Sequence, residues 1–240
     1  MSFTKYETRG AYHWAEIAHR LPHRYSARLH ALYEWFLDES TKRHPSLIVD
    51  VGCGDAALTH LLAEATGARV VGIEPEPSGF ELAKRALFRA NSSAEVLFGK
   101  GEELPFEDGK TSLVVMCEVL EHVPVADTLL DEAARILDLS GALLLSTPQW
   151  QSDDLREHHV HEFKARELRE ICARFFEHVE VLVGDPPPIY NRYLSSVWWR
   201  AGVNAASLLG RNPFTRRLPA TPERAGWRQL LAIASRPRRR

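Results

Sequence analysis

The chain has 240 residues, 45% of them hydrophobic and 26% charged, with a formal net charge of −2, which is ordinary soluble globular chemistry and enough length for one domain with a sizeable core. Cys53, Cys117 and Cys172 are widely spaced and form no Cys-x-x-Cys pair, so a disulfide framework and a cysteine zinc site are both excluded and a reducing cytoplasm fits. No signal peptide, no run of 18 apolar residues and no internal repeat is found, and the small net charge conceals a division: residues 186–240 hold eleven Arg, no Lys and one acid (+10), against 19 basic and 31 acidic side chains (−12) before them.

In chain order, residues 1–44 read as two amphipathic helices. Their apolar positions are Tyr12, Trp14, Ile17 and Ala18, then Leu29, Leu32, Tyr33, Phe36 and Leu37, at spacings of three and four. Leu47 to Val51 is a buried strand that runs into the glycine-spaced turn Gly52-Cys53-Gly54. A helix follows over 57–65, a second strand over 69–74 ending in Glu74, a helix over 77–90 and a short third strand over 95–98. Ser112 to Glu118 is a continuous apolar run of buried-strand type, followed by a helix from about 125 to 137 and a fifth strand over 141–148. A helix over 164–175, a sixth strand over 179–183 and a last strand over 227–234 complete the pattern. The alternation predicts a doubly wound α/β sheet of seven strands.

The glycine turn carries the ligand argument. Gly52-x-Gly54-x-x-Ala57 fits a dinucleotide fingerprint, and Glu74 stands at the distance of a ribose-binding acid. Yet Asp50 and Asp55 put two carboxylates where a pyrophosphate would meet backbone amides and a helix N-terminus. Anions are repelled there, whereas a ligand with an ammonium and a sulfonium and no phosphate is attracted. S-adenosylmethionine (SAM) is such a ligand. The strand and Asp50-Val51-Gly52-Cys53-Gly54 resemble the first motif of the class I SAM-dependent methyltransferase family; the other reading is a plain βα turn in another doubly wound protein.

The resemblance covers about residues 47–185. It implies a Rossmann-like, mostly parallel sheet whose last strand is antiparallel, SAM as cofactor, and methyl transfer at the carboxyl end of the fourth strand. The cofactor-binding residues it implies are Asp50, Gly52, Cys53, Gly54, Glu74, Gly101, Glu102, Cys117 and Glu118. Glu74 accepts the ribose hydroxyls, a charge-assisted contact of roughly 1.5–3 kcal/mol. In the family the loop after the third strand commonly runs Gly-Asp-Ala-Glu-x-Leu-Pro-Phe, with the Asp receiving the adenine amino group. Here that position is Lys100, and the contact passes to the Gly101 amide and the Glu102 side chain.

Glu118-Val119-Leu120-Glu121-His122-Val123-Pro124 resembles a second family signature and makes His122 a candidate base. The letters Glu-x-x-Glu-His with a later histidine occur in metal-dependent small-RNA 2′-O-methyltransferases, and also in metal-free ubiquinone-type enzymes; no metal is expected here. His158-His159-Val160-His161-Glu162-Phe163 resembles a segment of methyltransferases acting on sugars, lipids and secondary metabolites, and aligns His159 as the second catalytic candidate. In the alternative reading, His159 and Glu162 cap the next helix. Gly10-Ala11-Tyr12-His13-Trp14 resembles an N-terminal segment that folds over the cofactor, which makes Tyr12 and Trp14 lid residues.

One methyltransferase domain is expected over 1–240, with a helical lid (1–44), a SAM-binding core (45–185), a helical insertion (186–222) and a last strand with a basic tail (223–240). In the insertion, Tyr193, Leu194, Val197, Trp198, Trp199 and residues 205–209 form an apolar helical pattern flanked by Arg192, Arg200, Arg211, Arg216 and Arg217. The preferred reading is a cap that packs Trp198 and Trp199 over the acceptor. The other is an interfacial helix in peripheral contact with an anionic membrane surface. The expected function is O-methylation of a small molecule (a sugar, lipid or secondary metabolite) in the cytoplasm. The alternatives are metal-assisted RNA 2′-O-methylation, with the basic segment tracking phosphates, and a SAM-binding protein in which Lys100 marks lost turnover.

Overall fold

The computed structural model describes residues 5–17, 25–152 and 158–239. Its centre is β1 (Leu47–Val51), paired in parallel with β2 (Arg69–Glu74) on one side and β4 (Thr111–Cys117) on the other. The chain leaves β1 for β2 and β3 (Glu95–Phe98), then returns across β1 to β4 and β5 (Leu137–Pro148). This reversal is a topological switch point, and it opens a crevice at the carboxyl ends of β1 and β4. Beyond β5 lie β8 (Gln229–Pro237), antiparallel to both neighbours, then β6 (Phe176–Gly184) and β7 (Leu218–Pro219), in the order β3-β2-β1-β4-β5-β8-β6-β7.

Alternation along the central strands fills both faces, because successive side chains point to opposite sides of a sheet. Val49, Val51, Val71, Ile73, Val114, Met116, Leu143 and Leu145 build one core, covered by α6 (Ala126–Ile136) and α7 (Ala165–Ala173). Ile48, Val70, Leu113, Val115, Ala142 and Leu144 build the other, covered by α3 (Ala27–Thr41), α4 (Ala57–Thr66) and α5 (Pro77–Arg89). Beneath the glycine turn, Asp50 is buried and accepts a hydrogen bond from the Thr59 hydroxyl at 2.7 Å, which clamps α4 to the end of β1.

Three expectations need correction. The sheet has eight strands rather than seven, because Leu218–Pro219 of the insertion pairs antiparallel with Leu182 and Val183 at the outer edge. The last strand runs over Gln229–Pro237, later than 227–234, since Trp227 is held in a turn to the Arg224 carbonyl. The N-terminal region is not one lid. Its second half, α3, buries Leu32, Tyr33, Trp35 and Phe36 in the core, and only α1 (Lys5–Arg9) and α2 (Tyr12–Ile17) are left to cover the crevice. Ala18 lies outside the described residues.

The insertion folds as α8 (Pro187–Ser195) and α9 (Val197–Leu208) and packs on the start of α3. Tyr25, Ala27 and Ala31 meet Tyr193, Val203 and Phe214 in a third, smaller core. Asn204 fastens it: its amide oxygen accepts from Ala27 N (3.1 Å) and the Tyr193 hydroxyl (2.8 Å), and its amide nitrogen donates to the Tyr25 carbonyl (2.6 Å). A buried amide with three partners costs little to desolvate and fixes the packing geometry.

Phe36→Ala empties a fully buried site between α3 and the sheet, and should lower the free energy of unfolding by about 3–5 kcal/mol in urea titration. A loss under about 1 kcal/mol would mean that α3 is not part of the core. Asp50 gives a pH signature, because burial pushes its carboxyl up to about 7. The native state then holds a proton that the unfolded chain releases, so this stabilisation is complete below about pH 4 and is lost as pH rises through about 7. Asp50→Asn should gain stability relative to the parent as pH is raised through that window, measured by thermal unfolding; parallel curves would rule out a protonated Asp50.

Candidate functional site

The crevice begins at the glycine turn. Gly52 (φ +69°) and Gly54 (φ +60°) adopt the left-handed conformation that lets β1 turn sharply into α4. The three amides of the turn face inward: Gly52 N and Cys53 N donate to the Ile73 carbonyl at 2.8 and 3.1 Å, and Gly54 N donates to Glu74 Oε2 at 2.8 Å. Asp55 Oδ1 stands 3.4 Å from Ala57 N at the start of α4. No donor of this turn is aimed at a phosphate, and a carboxylate occupies the helix N-terminus where an anion would bind. A dinucleotide is disfavoured. The reason differs from the expected one, since Asp50 and Asp55 are buried and neither presents an open carboxylate to a ligand. Cys53 also points inward, its Sγ packed against Gly72.

Glu74 closes β2 as a buried carboxylate whose oxygens accept from Gly54 N and from Glu76 N at 3.0 Å. Burial raises its pKa, and the two amides act against that rise. A carboxylate has about four acceptor sites, so two amide bonds leave capacity for ribose hydroxyls. Beside it, Phe98 pairs in register with Glu74 and is 59% exposed, with its ring edge-on to Phe80 at 5.6 Å. This aromatic wall escaped the sequence reading because a four-residue edge strand shows no periodicity. Gly101 is buried where a side chain would meet Val51 and Leu129, while Lys100 and Glu102 face solvent.

The N-terminal segment closes over the turn. His13 N and Nδ1 lie 3.0 and 3.1 Å from the two Asp55 oxygens, and Trp14 Nε1 donates to the Asp55 carbonyl at 2.7 Å. Trp14 thus anchors the segment, its ring stacked on His60 at 5.1 Å. Tyr12 stacks with Tyr6 at 6.1 Å beneath the Arg9 guanidinium. The Tyr6 hydroxyl stands directly over Gly54, where any side chain on Gly54 would collide with it, and burial raises its pKa. Tyr6 and His13 were missed, since nothing in local spacing marks a residue whose partners lie more than 40 positions away.

At the end of β4, Glu118 (φ +58°) accepts from the Ser146 hydroxyl at 2.9 Å and from Gln229 Nε2 at 2.7 Å. Gln229 in turn accepts from Arg28, whose Nε donates to the buried Asp185. Burial works against the charge on Arg28, but the neighbouring Asp185 and Glu118 carboxylates outweigh it and raise its pKa. Cys117 lies alongside as a thiol raised by burial, its Sγ 3.8 Å from Ser146. Tyr190 of the insertion faces this network, its ring centroid 5.5 Å from the Arg28 guanidinium carbon.

The two candidate histidines meet here. Their rings lie edge-on at 4.9 Å because Glu121 O accepts from Val160 N at 2.8 Å and draws the 158–163 loop onto the end of β4. His122 Nδ1 is 2.9 Å from the His158 carbonyl, and His159 Nδ1 is 2.9 Å from Oε1 of the buried Glu162. Either contact makes Nδ1 the donor and puts the lone pair on Nε2. The helix-cap role for His159 and Glu162 is overturned: α7 starts at Ala165, and Glu167 accepts from Lys164 N instead. Glu121, buried and bonded to the Thr147 hydroxyl at 2.9 Å, completes a cluster with both histidines. Their ligand atoms all lie within 4.8 Å of one another. Trp198 (89% exposed) and Trp199 stand on the outer surface of the insertion and are not packed over this site.

Residues 49–145 match the family described as a methyltransferase domain. Over 141 residues the chain is 28% identical to tocopherol O-methyltransferase of Arabidopsis thaliana, a match covering 58% of this chain and 40% of that protein. Over 130 residues it is 32% identical to ubiquinone biosynthesis O-methyltransferase of Xylella fastidiosa, covering 52% of each. The chain thus spans about half or less of the length of these relatives. Geranyl diphosphate C-methyltransferase of Streptomyces coelicolor, solved with Mg2+, geranyl diphosphate and S-adenosyl-L-homocysteine, superposes with a TM-score of 0.63 over 87% of this chain and 81% of that one at 17% identity, a likeness of fold alone. With an inward-facing glycine turn, a bonded acid ending β2 and this match across the central strands, residues 49–145 form a methyltransferase domain similar to those of class I SAM-dependent enzymes.

Proposed function

We propose that the protein transfers a methyl group from SAM to a hydroxyl of a small-molecule acceptor. The observation that carries this reading is Glu74, a buried carboxylate held by two amides at the mouth of a glycine turn that offers no donor to a phosphate. Glu74 would hold the ribose hydroxyls, the Phe80–Phe98 pair would wall the adenine, and Tyr6 would close over Gly54. Bound there, SAM supplies a sulfonium methyl group for in-line transfer to a nucleophile.

The chain's own part is orientation and proton removal. His159 has the arrangement of a general base, with Nδ1–H directed at the buried Glu162 and Nε2 able to take the proton of the acceptor hydroxyl. Glu162 fixes the ring and offsets the charge of the imidazolium. His122, edge-on to it, lines the same wall. The likeness to tocopherol and ubiquinone O-methyltransferases supports a hydroxyl acceptor.

A second reading rests on the Glu121–His122–His159 cluster. Two imidazoles and a carboxylate suit a first-row divalent cation, and the Nδ1 contacts of both histidines and the Thr147 bond to Glu121 are the outer supports such ligands usually have. His159 Nε2 would then be a ligand and not a base. Metal-assisted methylation of an RNA 2′-hydroxyl stays attached to this reading.

The test is methyl transfer from labelled SAM to lipid, glycan and RNA extracts, with and without EDTA or added manganese. Label in a small lipid or glycan product supports the first reading; no transfer to any extract would favour a SAM-binding protein without turnover. Glu74→Gln should weaken SAM binding by about ten- to a hundredfold in calorimetry, and an unchanged dissociation constant would remove Glu74 from the ribose site. His159→Ala should lower kcat about 10²–10⁴-fold with SAM affinity unchanged. If His159 is a base, activity survives EDTA; activity abolished by EDTA and restored by manganese would assign the cluster to a metal.

A further inference from the structure

Helix α9 exposes an apolar stripe and buries two polar side chains beside Val203. Its buried residues include Asn204 and Ser207, which bond to Tyr25, Ala27 and Tyr193, whereas Trp198, Gly202, Ala205 and Leu209, at spacings of four, three and four, lie on the side facing solvent together with Ala201. Trp198 and Leu209 are 89% and 81% exposed, and Val197 and Leu194 beside them 68% and 57%. An exposed apolar stripe on a helix that buries an amide and a hydroxyl is not what water selects.

The charges of the same segment say what covers the stripe. Arg192, Arg200, Arg211 and Arg216 are all exposed, and none has an acidic partner within 4 Å among the described residues. Arg192 stacks over Trp199 at 4.4 Å, which leaves its guanidinium beside the stripe. Residues 186–240 contain a single acid, Glu223. A second copy would bring two strongly positive segments face to face, and a nucleic acid would match the arginines but not an apolar stripe containing Ala201, Gly202, Ala205 and Leu209.

We propose that this face of the α8–α9 hairpin docks on an anionic lipid surface. Trp198 and Leu209 enter at headgroup depth, and the arginines pair with lipid phosphates. No helix among the described residues is long and apolar enough to cross a membrane, so the contact is peripheral. It stands on α9 and its charges and does not depend on the methyltransferase reading.

The full chain should co-sediment with phosphatidylcholine vesicles that contain phosphatidylglycerol, and not with phosphatidylcholine alone, and high salt should release it. Trp198→Ala/Leu209→Ala, which removes no charge and touches no buried residue, should reduce partitioning about tenfold; Arg200→Glu/Arg211→Glu should do the same. Circular dichroism checks that both variants keep their helices. The proposal is overturned by absence of binding at low salt, or by binding that survives the Trp198/Leu209 substitution. It is equally overturned by a dimer in ultracentrifugation that Trp198→Ala dissociates, or by retention on RNA that the apolar substitutions abolish.

Discussion

The structure turns on the hydrogen bond from Gly54 N to Glu74, 2.8 Å across the ends of β1 and β2. It joins two strands at the point where each stops being sheet. It also consumes the amide that a phosphate-binding turn would point outward, and fixes a carboxylate at the mouth of the crevice. Without a ligand, a buried carboxylate between amides is an internal matter of satisfied polar groups. In the proposed function the same group would also recognise a ribose, and stability and cofactor choice would then rest on one contact.

The remaining acids divide between support and chemistry in a way their positions in the chain do not announce. Asp50 and Asp55 flank the glycines, yet one clamps α4 through Thr59 and the other receives the N-terminal segment through His13 and Trp14. Glu118 belongs to a chain of partners that runs through Gln229 and Arg28 to Asp185, tying β4, β8, α3 and the end of β6 together. Glu121 and Glu162 each orient a histidine loop. Binding such networks at several strand ends at once gives the site rigidity that a single loop could not supply.

The insertion shows how a surface can be misjudged from its pattern. Tyr193, Val203 and Phe214 do pack inward, as an apolar helical pattern suggests, but they pack on α3 and not over the crevice. The tryptophans that mark the segment most strongly in the sequence are the residues it exposes. Asn204 explains the rotation of α9, since its three hydrogen bonds can be met only if the polar side faces Tyr25 and Ala27.

Seven of the eight strands, the helices between them, the glycine turn and the acid that ends β2 were legible in the chain, because each is a local matter: alternation of apolar residues, positive φ at glycine and a strand's length between turns. Short motifs also singled out His122 and His159, whose rings the fold brings to 4.9 Å of each other. Where Asp55 points, that Tyr6 and His13 lie over the glycine turn, that Glu121 joins the two histidines, and which side of α9 meets water came from the folded chain alone. Each of these depends on partners brought together by the fold across tens of residues, and hydrogen bonding between such partners leaves no period in the chain that a reader could find.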